Sequence, residues 1–343
     1  MAKYQEKLLL VDGFAGPGRY AGGEDGSPLI MLKSFLEHAH RERIERTRLE
    51  YFFVERHAGR FAHRQNEIES IRPLPANISA VPVHGEYGAT MDGIIGDAAN
   101  RVPTFAFIDP FGYAEAHLEL TSRVLGFPRC EVLIFLPTPY LVRFVARDGQ
   151  ARSFDLLYGG RQWEHAIELQ GEERGRLLHD LFRQALERDA EFVQSFEIIT
   201  DQGRGYHLFF ATNNVRGLEK WKEAAWSVDP VDGEAYRERR VMMQTTLFDS
   251  VPGGGAPLHF EPNTAPLLRQ LVDHFNDRRF TIEEAQDFTT RHTRFLSEGH
   301  LKNRTLLPAE RSGLIAVVHR PSTRGFPPGT MIQFVRRQLD SSA

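Results

Sequence analysis

Several places in this 343-residue chain put together residue types able to hold or act on a ligand. The first is Asp12-Gly13-Phe14-Ala15-Gly16-Pro17-Gly18, which follows the apolar run Leu8-Leu9-Leu10-Val11. Glycines directly after an apolar strand that ends in an acid let backbone amides approach a ligand closely before a helix begins. Asp12, Phe14, Gly16 and Gly18 are therefore candidate binding residues. The second is Glu55, the last residue of the run Leu49–Glu55. A carboxylate at such a strand end can accept hydrogen bonds from both hydroxyls of a ribose, which serves recognition of a nucleoside without a phosphate site. The third is Glu86 in Val83-His84-Gly85-Glu86-Tyr87, an acid after the third strand with Tyr87 beside it, at a position where nucleoside-binding folds of this kind usually touch the adenine ring, Tyr87 being the candidate stacking neighbour. The fourth is Asp109-Pro110-Phe111, at the end of Thr104–Asp109. There an acid and a proline carbonyl can accept a hydrogen bond from an amine while an aromatic ring stacks a planar base. Each place also has a plainer reading: a tight strand-to-helix turn, a solvated strand end, an acid and a proline that merely close a strand.

The glycine stretch follows the pattern Asp-x-Phe-x-Gly-x-Gly, with which many amino-group methyltransferases hold the methionine part of S-adenosylmethionine. Ala21–Gly26 lengthens it with an acidic, glycine-rich insertion before Ser27. Asp109, Pro110 and Phe111 follow the Asp/Asn-Pro-Pro-aromatic motif of those enzymes in part. Phe111 stands where the second proline would be, and Gly112 where the aromatic would be. The expected cofactor is thus S-adenosylmethionine, held by Asp12, Phe14, Gly16, Gly18, Glu55 and Glu86, while the target stays open. Transfer would be a direct in-line displacement in which the protein mainly positions the reactants.

Such residues need a sheet to hold them. Runs at Leu8–Asp12, Leu49–Glu55, Ile78–Val83, Thr104–Asp109, Glu131–Leu136, Phe192–Thr200 and Tyr206–Thr212 read as strands alternating with helices, the signature of an α/β fold with a parallel sheet. The count matches a Rossmann-like methyltransferase sheet of seven strands. Only a short turn separates the last two, so the final strand is expected to be antiparallel. Ser27-Pro28 reads as a helix cap and first-turn proline ahead of Leu29, Leu32, Phe35 and Leu36. Residues 140–190, rich in Arg, Glu and Leu, read as a helical insertion; its Tyr158-Gly159-Gly160 and Trp163 form either a substrate-facing loop or a turn packed by Trp163.

Composition excludes several classes. Hydrophobic residues make up 41% and charged residues 26% of the chain, the balance of a globular protein. No apolar run is long enough to span a bilayer and the N-terminus has no secretion-signal layout, so a cytoplasmic protein without membrane contact is expected. The single cysteine, Cys130, reads as a core residue. His38, His40, His57, His63 and His84 lack partners at metal-ligand spacings, so no metal is expected.

Asp249–Pro257 is proline- and glycine-rich and reads as a linker, giving a first domain over 1–248, a linker over 249–264 and a second domain over 265–343. The formal net charge is −4, yet from Ala265 onward twelve Lys and Arg outnumber eight Asp and Glu. Helices at Ala265–Phe275, Ile282–Thr290 and about Arg294–Asn303, then strands Leu314–Val318 and Met331–Val335, give the layout of a winged helix. Arg294, His300, Lys302 and Arg304 would lie on its third helix, with Arg320 and Arg324 in the Arg320–Gly329 wing. Such a module contacts either nucleic acid or protein. Just before the linker, Gln244-Thr245-Thr246-Leu247-Phe248 matches the Gln-x-x-Leu-Phe form of peptides that bind the bacterial replication clamp, or else is an apolar strap on the first domain.

With these residues assembled, the chain resembles the bacterial three-Cys-motif partner (TcmP) family. The resemblance runs through Val11-Asp12-Gly13-Phe14-Ala15-Gly16-Pro17-Gly18-Arg19-Tyr20, Gly26-Ser27-Pro28-Leu29, Phe107-Ile108-Asp109-Pro110-Phe111-Gly112 and Tyr206-His207-Leu208-Phe209-Phe210-Ala211-Thr212-Asn213-Asn214. It implies a methyltransferase-like fold and a partner protein with a three-cysteine motif that looks like an iron–sulfur radical enzyme. Two functions are compatible with all of this. One is an S-adenosylmethionine-binding, methyltransferase-like protein acting on or at nucleic acid, in amino-group methylation or DNA repair. The other is a non-catalytic adaptor or repair accessory that works with the three-Cys-motif enzyme and the replication clamp.

Overall fold

A computed structural model of the chain describes residues 6–95, 102–110, 112, 117–127, 129–237, 261–276 and 278–335. Phe111, Tyr113, the clamp-like Gln244–Phe248 and linker residues 249–260 lie outside the described residues. The chain divides into two compact units, Met1–Ser195 with Arg204–Gly217, and Phe196–Gly203 with Leu218–Ala343.

The first unit begins β1 (Lys7–Asp12), α1 (Ser27–Leu36), β2 (Arg48–Glu55), α2 (Ala58–Ser70), β3 (Ile78–His84), α3 (Tyr87–Ile95), β4 (Thr104–Ile108), α4 (Leu118–Leu125) and β5 (Glu131–Leu136). The helices α5 (Thr138–Phe144), α6 (Ala151–Tyr158) and α7 (Gly171–Leu186) follow, then β6 (Phe192–Ile199) up to Ser195 and β7 (Gly205–Thr212). The strand order is β3-β2-β1-β4-β5-β7-β6, with β7 antiparallel to β5 and the pairs β1–β2, β2–β3, β1–β4 and β4–β5 parallel. This is the methyltransferase-type Rossmann order, with β7, the second strand of the hairpin, reversed; the sheet has eight strands rather than the seven expected, the eighth pairing beyond β6. The order also reverses beside β1: β2 lies on one side and β4 on the other, so the carboxyl ends of β1, β2 and β4 border the crevice where open α/β sheets bind ligands.

Buried residues on both faces of β1 and β2 explain their continuous apolar runs. One core, including Leu32, Phe53 and Ile68, lies under α1 and α2; the other packs α3, α4 and the helices α5 to α7 against Val132, Ile134 and Phe209. The insertion belongs to this second core. Trp163 is 3% exposed, donates Nε1–H to Asp155 at 2.8 Å and packs on Phe154, so it is a core residue and not a substrate-facing one. Cys130 is buried in the same core. Ser27 is not the N-cap of α1: Gly26 holds that position, and the Ser27 hydroxyl turns to Asp12.

The second unit takes the far end of β6, which pairs in parallel with β8 (Ala235–Arg237), a strand without an apolar run to announce it. Its helix α8 (Val215–Val228) precedes the linker in sequence, yet from Leu218 onward it belongs here. Lys222 is buried and donates to the carbonyls of Thr289, Thr290 and Phe295, while Trp226 Nε1–H bonds Arg294 O at 2.9 Å. Then come α9 (Ala265–Phe275), β9 (Phe280–Thr281), α10 (Ile282–His292), a kinked helical segment Ser297–Leu306, α11 (Leu307–Arg311), β10 (Ile315–His319) and β11 (Met331–Phe334). The strands form a three-stranded sheet, β10-β11-β9. A reciprocal capping box between Thr281 and Glu284 starts α10.

The third helix starts later than the sequence suggested. Gly299 at φ +94° and extended Glu298 break the chain there, and Arg294 lies before the helix in a turn where Phe295 N–H bonds the Thr293 hydroxyl. No helix among the described residues is long and apolar enough to cross a membrane.

Candidate functional site

The glycine stretch leaves β1 and is laced to its neighbours by backbone bonds. Gly13 N–H donates to Phe107 O at 2.9 Å, Ala15 N–H to Val54 O at 2.8 Å and Gly26 N–H to Gly18 O at 2.7 Å. Gly16 and Gly18 have φ of +60° and +85°, the left-handed region that favours glycine. Their surroundings differ. A Cβ on Gly16 would meet nothing within 4 Å, whereas one on Gly18 would meet the Arg64 side chain at 3.2 Å. Gly13 is the tightest of the three, since a Cβ there would stand 2.5 Å from the Tyr87 ring.

Beside this stretch lies a cavity of about 300 Å³, walled by Gly13, Phe14, Val54, Glu55, Arg56, Gly85, Glu86, Tyr87, Gly88, His117 and Leu120. The strand ends thus bring Phe14, Glu55 and Glu86 to one cavity. Asp12, Gly16 and Gly18 are not in its wall; Asp12 is fully buried next to it. Tyr87 is also buried, its ring 5.3 Å from that of Phe14, and burial pushes its hydroxyl above the ordinary tyrosine range.

Two carboxylates dominate the electrostatics. Asp12 Oδ1 accepts the Phe14 N–H at 3.1 Å, while the buried Oδ2 has no hydrogen-bond partner. Burial lifts the Asp12 carboxyl to about 6, against the pull of Ser27, the Phe14 amide and Arg64; the like charge of Asp109 adds to the rise. Glu55 is 3% exposed. Its Oε1 accepts His57 N–H at 2.7 Å and Arg60 Nη2 at 2.9 Å, and its buried Oε2 has no partner. Burial raises the Glu55 carboxyl, but the Arg60 and His57 bonds and the charges of Arg60 and Arg64 outweigh it and hold it below the ordinary range.

Buried acceptors without donors are rare in folded proteins. Here one ends β1 and one ends β2, and a ligand rich in N–H and O–H donors would satisfy both. S-adenosylmethionine brings an ammonium and two ribose hydroxyls, so these residues fit it.

Asp109 keeps much of its surface exposed, although enough protein surrounds its carboxyl to lift it to about 6 by lost hydration. Pro110 is buried beside it. The histidines hold structural posts: His57 caps α2 by accepting from Arg60 N–H, His63 Nδ1 lies 2.9 Å from Pro17 O, and His84 Nε2 lies 3.0 Å from Arg56 O.

Sequence reading missed Arg64, which is fully buried on α2 with its guanidinium bonded to Gly16 O and Phe53 O. A signal was present. Arg64 falls between Phe61 and Ile68 at helical spacing on the face of α2 that should be apolar.

No family model matches the chain, and no curated protein matches it. Solved structures similar to it include protein LPL1258 from Legionella pneumophila, at 11% identity over 61% of this chain and 77% of that one, TM-score 0.35. Trm1 from Pyrococcus horikoshii, in complex with S-adenosyl-L-methionine, shares 16% identity over 63% of this chain and 53% of its own, TM-score 0.36. The METTL16 methyltransferase domain shares 10% over 62% of this chain and 61% of its own, TM-score 0.34. These likenesses are distant, and the fold is read from this chain's own strand order.

The basic residues assigned to a nucleic-acid contact are unevenly available. Arg294 is ion-paired with Glu234 and donates to Asp232 O, His300 is buried against Trp226 with ring centroids 4.2 Å apart, and Arg320 pairs with Glu310 at 2.6 Å. Arg304 and Arg324 are exposed, and Lys302 is half-buried.

Proposed function

We propose that this chain is an S-adenosylmethionine-binding, methyltransferase-like protein acting on or at nucleic acid. The observation that carries the cofactor half is the pair of buried, unpartnered oxygens, Asp12 Oδ2 and Glu55 Oε2, at the ends of adjacent strands, with Glu55 in the cavity wall and Asp12 buried next to Gly13 of that wall. Asp12 takes the ammonium end, Glu55 the ribose hydroxyls and Glu86 the adenine edge. When bound, the cofactor supplies a methyl group on positively charged sulfur. Asp109 and the Pro110 carbonyl accept hydrogen bonds from the incoming amine, and their contribution is orientation.

The test is calorimetry with S-adenosylmethionine and its demethylated product. Wild type should bind both. Asp12→Asn and Glu55→Ala should each weaken binding tenfold or more, because each removes a charge-assisted hydrogen bond worth about 1.5–3 kcal/mol. No heat from wild type would end the cofactor reading.

The nucleic-acid half rests on the second unit, which we read as a winged helix. An adaptor role, in the manner implied by the three-Cys-motif partner resemblance, gains support from one observation. Arg294, His300 and Arg320 are committed to contacts inside the unit, which leaves fewer cations for phosphates. Methyl transfer to a duplex or single-stranded oligonucleotide, assayed with labelled cofactor, separates the two roles.

A further inference from the structure

We propose that Arg64 is the positioning residue of the cofactor site, a buried guanidinium that holds the glycine stretch following Asp12 to β2, the strand that ends in Glu55. The inference rests on the cofactor reading above and adds to it a residue that touches no ligand.

The geometry is specific. From α2, Nη1 donates to Gly16 O at 3.2 Å and Nη2 to Phe53 O at 3.0 Å, so one planar guanidinium ties the middle of the glycine stretch to the strand that ends in Glu55. Gly18 packs directly against the same residue, a Cβ there standing 3.2 Å from Arg64 Cγ and 3.4 Å from its Cα. Arg64 is the largest fully buried side chain among those described, and its Nε has no hydrogen-bond partner. A buried charge of this kind is costly unless opposite charge lies near. Asp12 and Glu55 supply it: both act on Arg64, and Arg64 acts on both.

Other groups also face the pair. Asp12 is met by Ser27 from α1, by Asp109 after β4 and by Tyr20 from the loop, and Glu55 by Arg60 from α2. Of these only Arg64 both lends its charge to the two carboxylates and grips the loop. Its loss would therefore loosen Gly16 and raise the Asp12 carboxyl further above its ordinary value, so that a cationic ligand would need higher pH to bind.

Arg64→Met and Arg64→Lys test this in the full chain, with two readouts: affinity for S-adenosylmethionine from pH 6 to 9, and the titration midpoint of Asp12 followed through its carboxyl carbon by NMR. In Arg64→Met the midpoint should rise by a unit or more and affinity at pH 7 should fall at least tenfold, with part of the deficit relative to wild type at the same pH recovered by pH 9, a comparison that cancels the loss of the ligand's own α-ammonium. A merely structural loss would not recover with pH. Arg64→Lys keeps a cationic group but is shorter and lacks the planar two-armed fork that spans Gly16 O and Phe53 O, so the midpoint should stay nearer that of wild type than in Arg64→Met while affinity falls. Unchanged midpoint and affinity in Arg64→Met would overturn the proposal; unchanged affinity in Arg64→Lys would overturn its loop-holding half. If wild type binds no cofactor, the cofactor reading fails separately, and the ligand-free Asp12 midpoint still decides whether Arg64 acts on it.

Discussion

At the scale of single residues, burial of Asp12 makes stability depend on pH. Burial lifts its carboxyl from 3.8 to about 6, so in that window the native state holds a proton that the unfolded chain has released. Stability therefore falls as pH rises from about 4 to 6, by up to roughly 3 kcal/mol at about 1.4 kcal/mol per unit. Asp12→Asn cannot ionise. Its melting temperature relative to wild type should climb between pH 4 and 7 even as it loses affinity for the cofactor, and a constant difference across that range would contradict the buried-charge account. The glycines form a graded series beside it. Gly16→Ala needs only a strained left-handed backbone, about 1–2 kcal/mol, because its surroundings are open. Gly18→Ala must also displace Arg64, and Gly13→Ala must displace the buried Tyr87 ring. Urea unfolding should show little loss for Gly16→Ala, more for Gly18→Ala and most for Gly13→Ala.

At the scale of elements, the end of α10 depends on a side chain from α8. Lys222 offers its ammonium to the carbonyls of Thr289, Thr290 and Phe295 at 3.1, 2.5 and 3.3 Å. The last carbonyls of a helix have no partner within it, and here the buried Lys222 amino group, pushed down to about 7 by burial, supplies the donors. Lys222→Met fills the space without the donors, so it should destabilise the second unit by about 2–5 kcal/mol. Hydrogen exchange is the direct check. Amides of α10 should lose protection in the variant while those of β1 to β5 keep theirs. The sequence placed α9, α10 and the last two strands to within two residues, because amphipathic spacing and caps are local. It misplaced the third helix because the break at Gly299 and the pairing of Arg294 with Glu234 come from packing.

At the scale of the whole molecule, the charge imbalance of the C-terminal stretch overstates its reach toward phosphates. Five contacts would give a slope of affinity against salt, on logarithmic axes, of roughly −4 to −5 on duplex DNA. With Arg294 and Arg320 paired internally, Lys302, Arg304 and Arg324 remain, and the slope should be nearer −2 to −3. Anisotropy on a mixed-sequence duplex should show the double variant Arg304→Ala, Arg324→Ala lowering the slope by about two units, and an unchanged slope would turn attention to a protein partner. Point variants are needed here, because removing the residues after Gly255 would strip Lys222 and Trp226 of their contacts and damage α8 whatever the ligand.

The amino-acid sequence alone determined the sheet and the acids at its strand ends. Apolar runs, glycines and chain reversals act between near neighbours, and a parallel sheet leaves few ways to arrange them. Phe14, Glu55 and Glu86 were legible on the same ground, since each follows its own strand to one edge. What only the tertiary structure decided involves residues far apart in the chain. Arg64 reaches Gly16 across 48 positions, and Lys222 reaches Thr289 across 67. Both are charged residues standing at apolar spacing on their helices, Arg64 between Phe61 and Ile68 and Lys222 between Leu218 and Trp226, and only the fold shows which distant backbone carbonyls accept their hydrogen bonds.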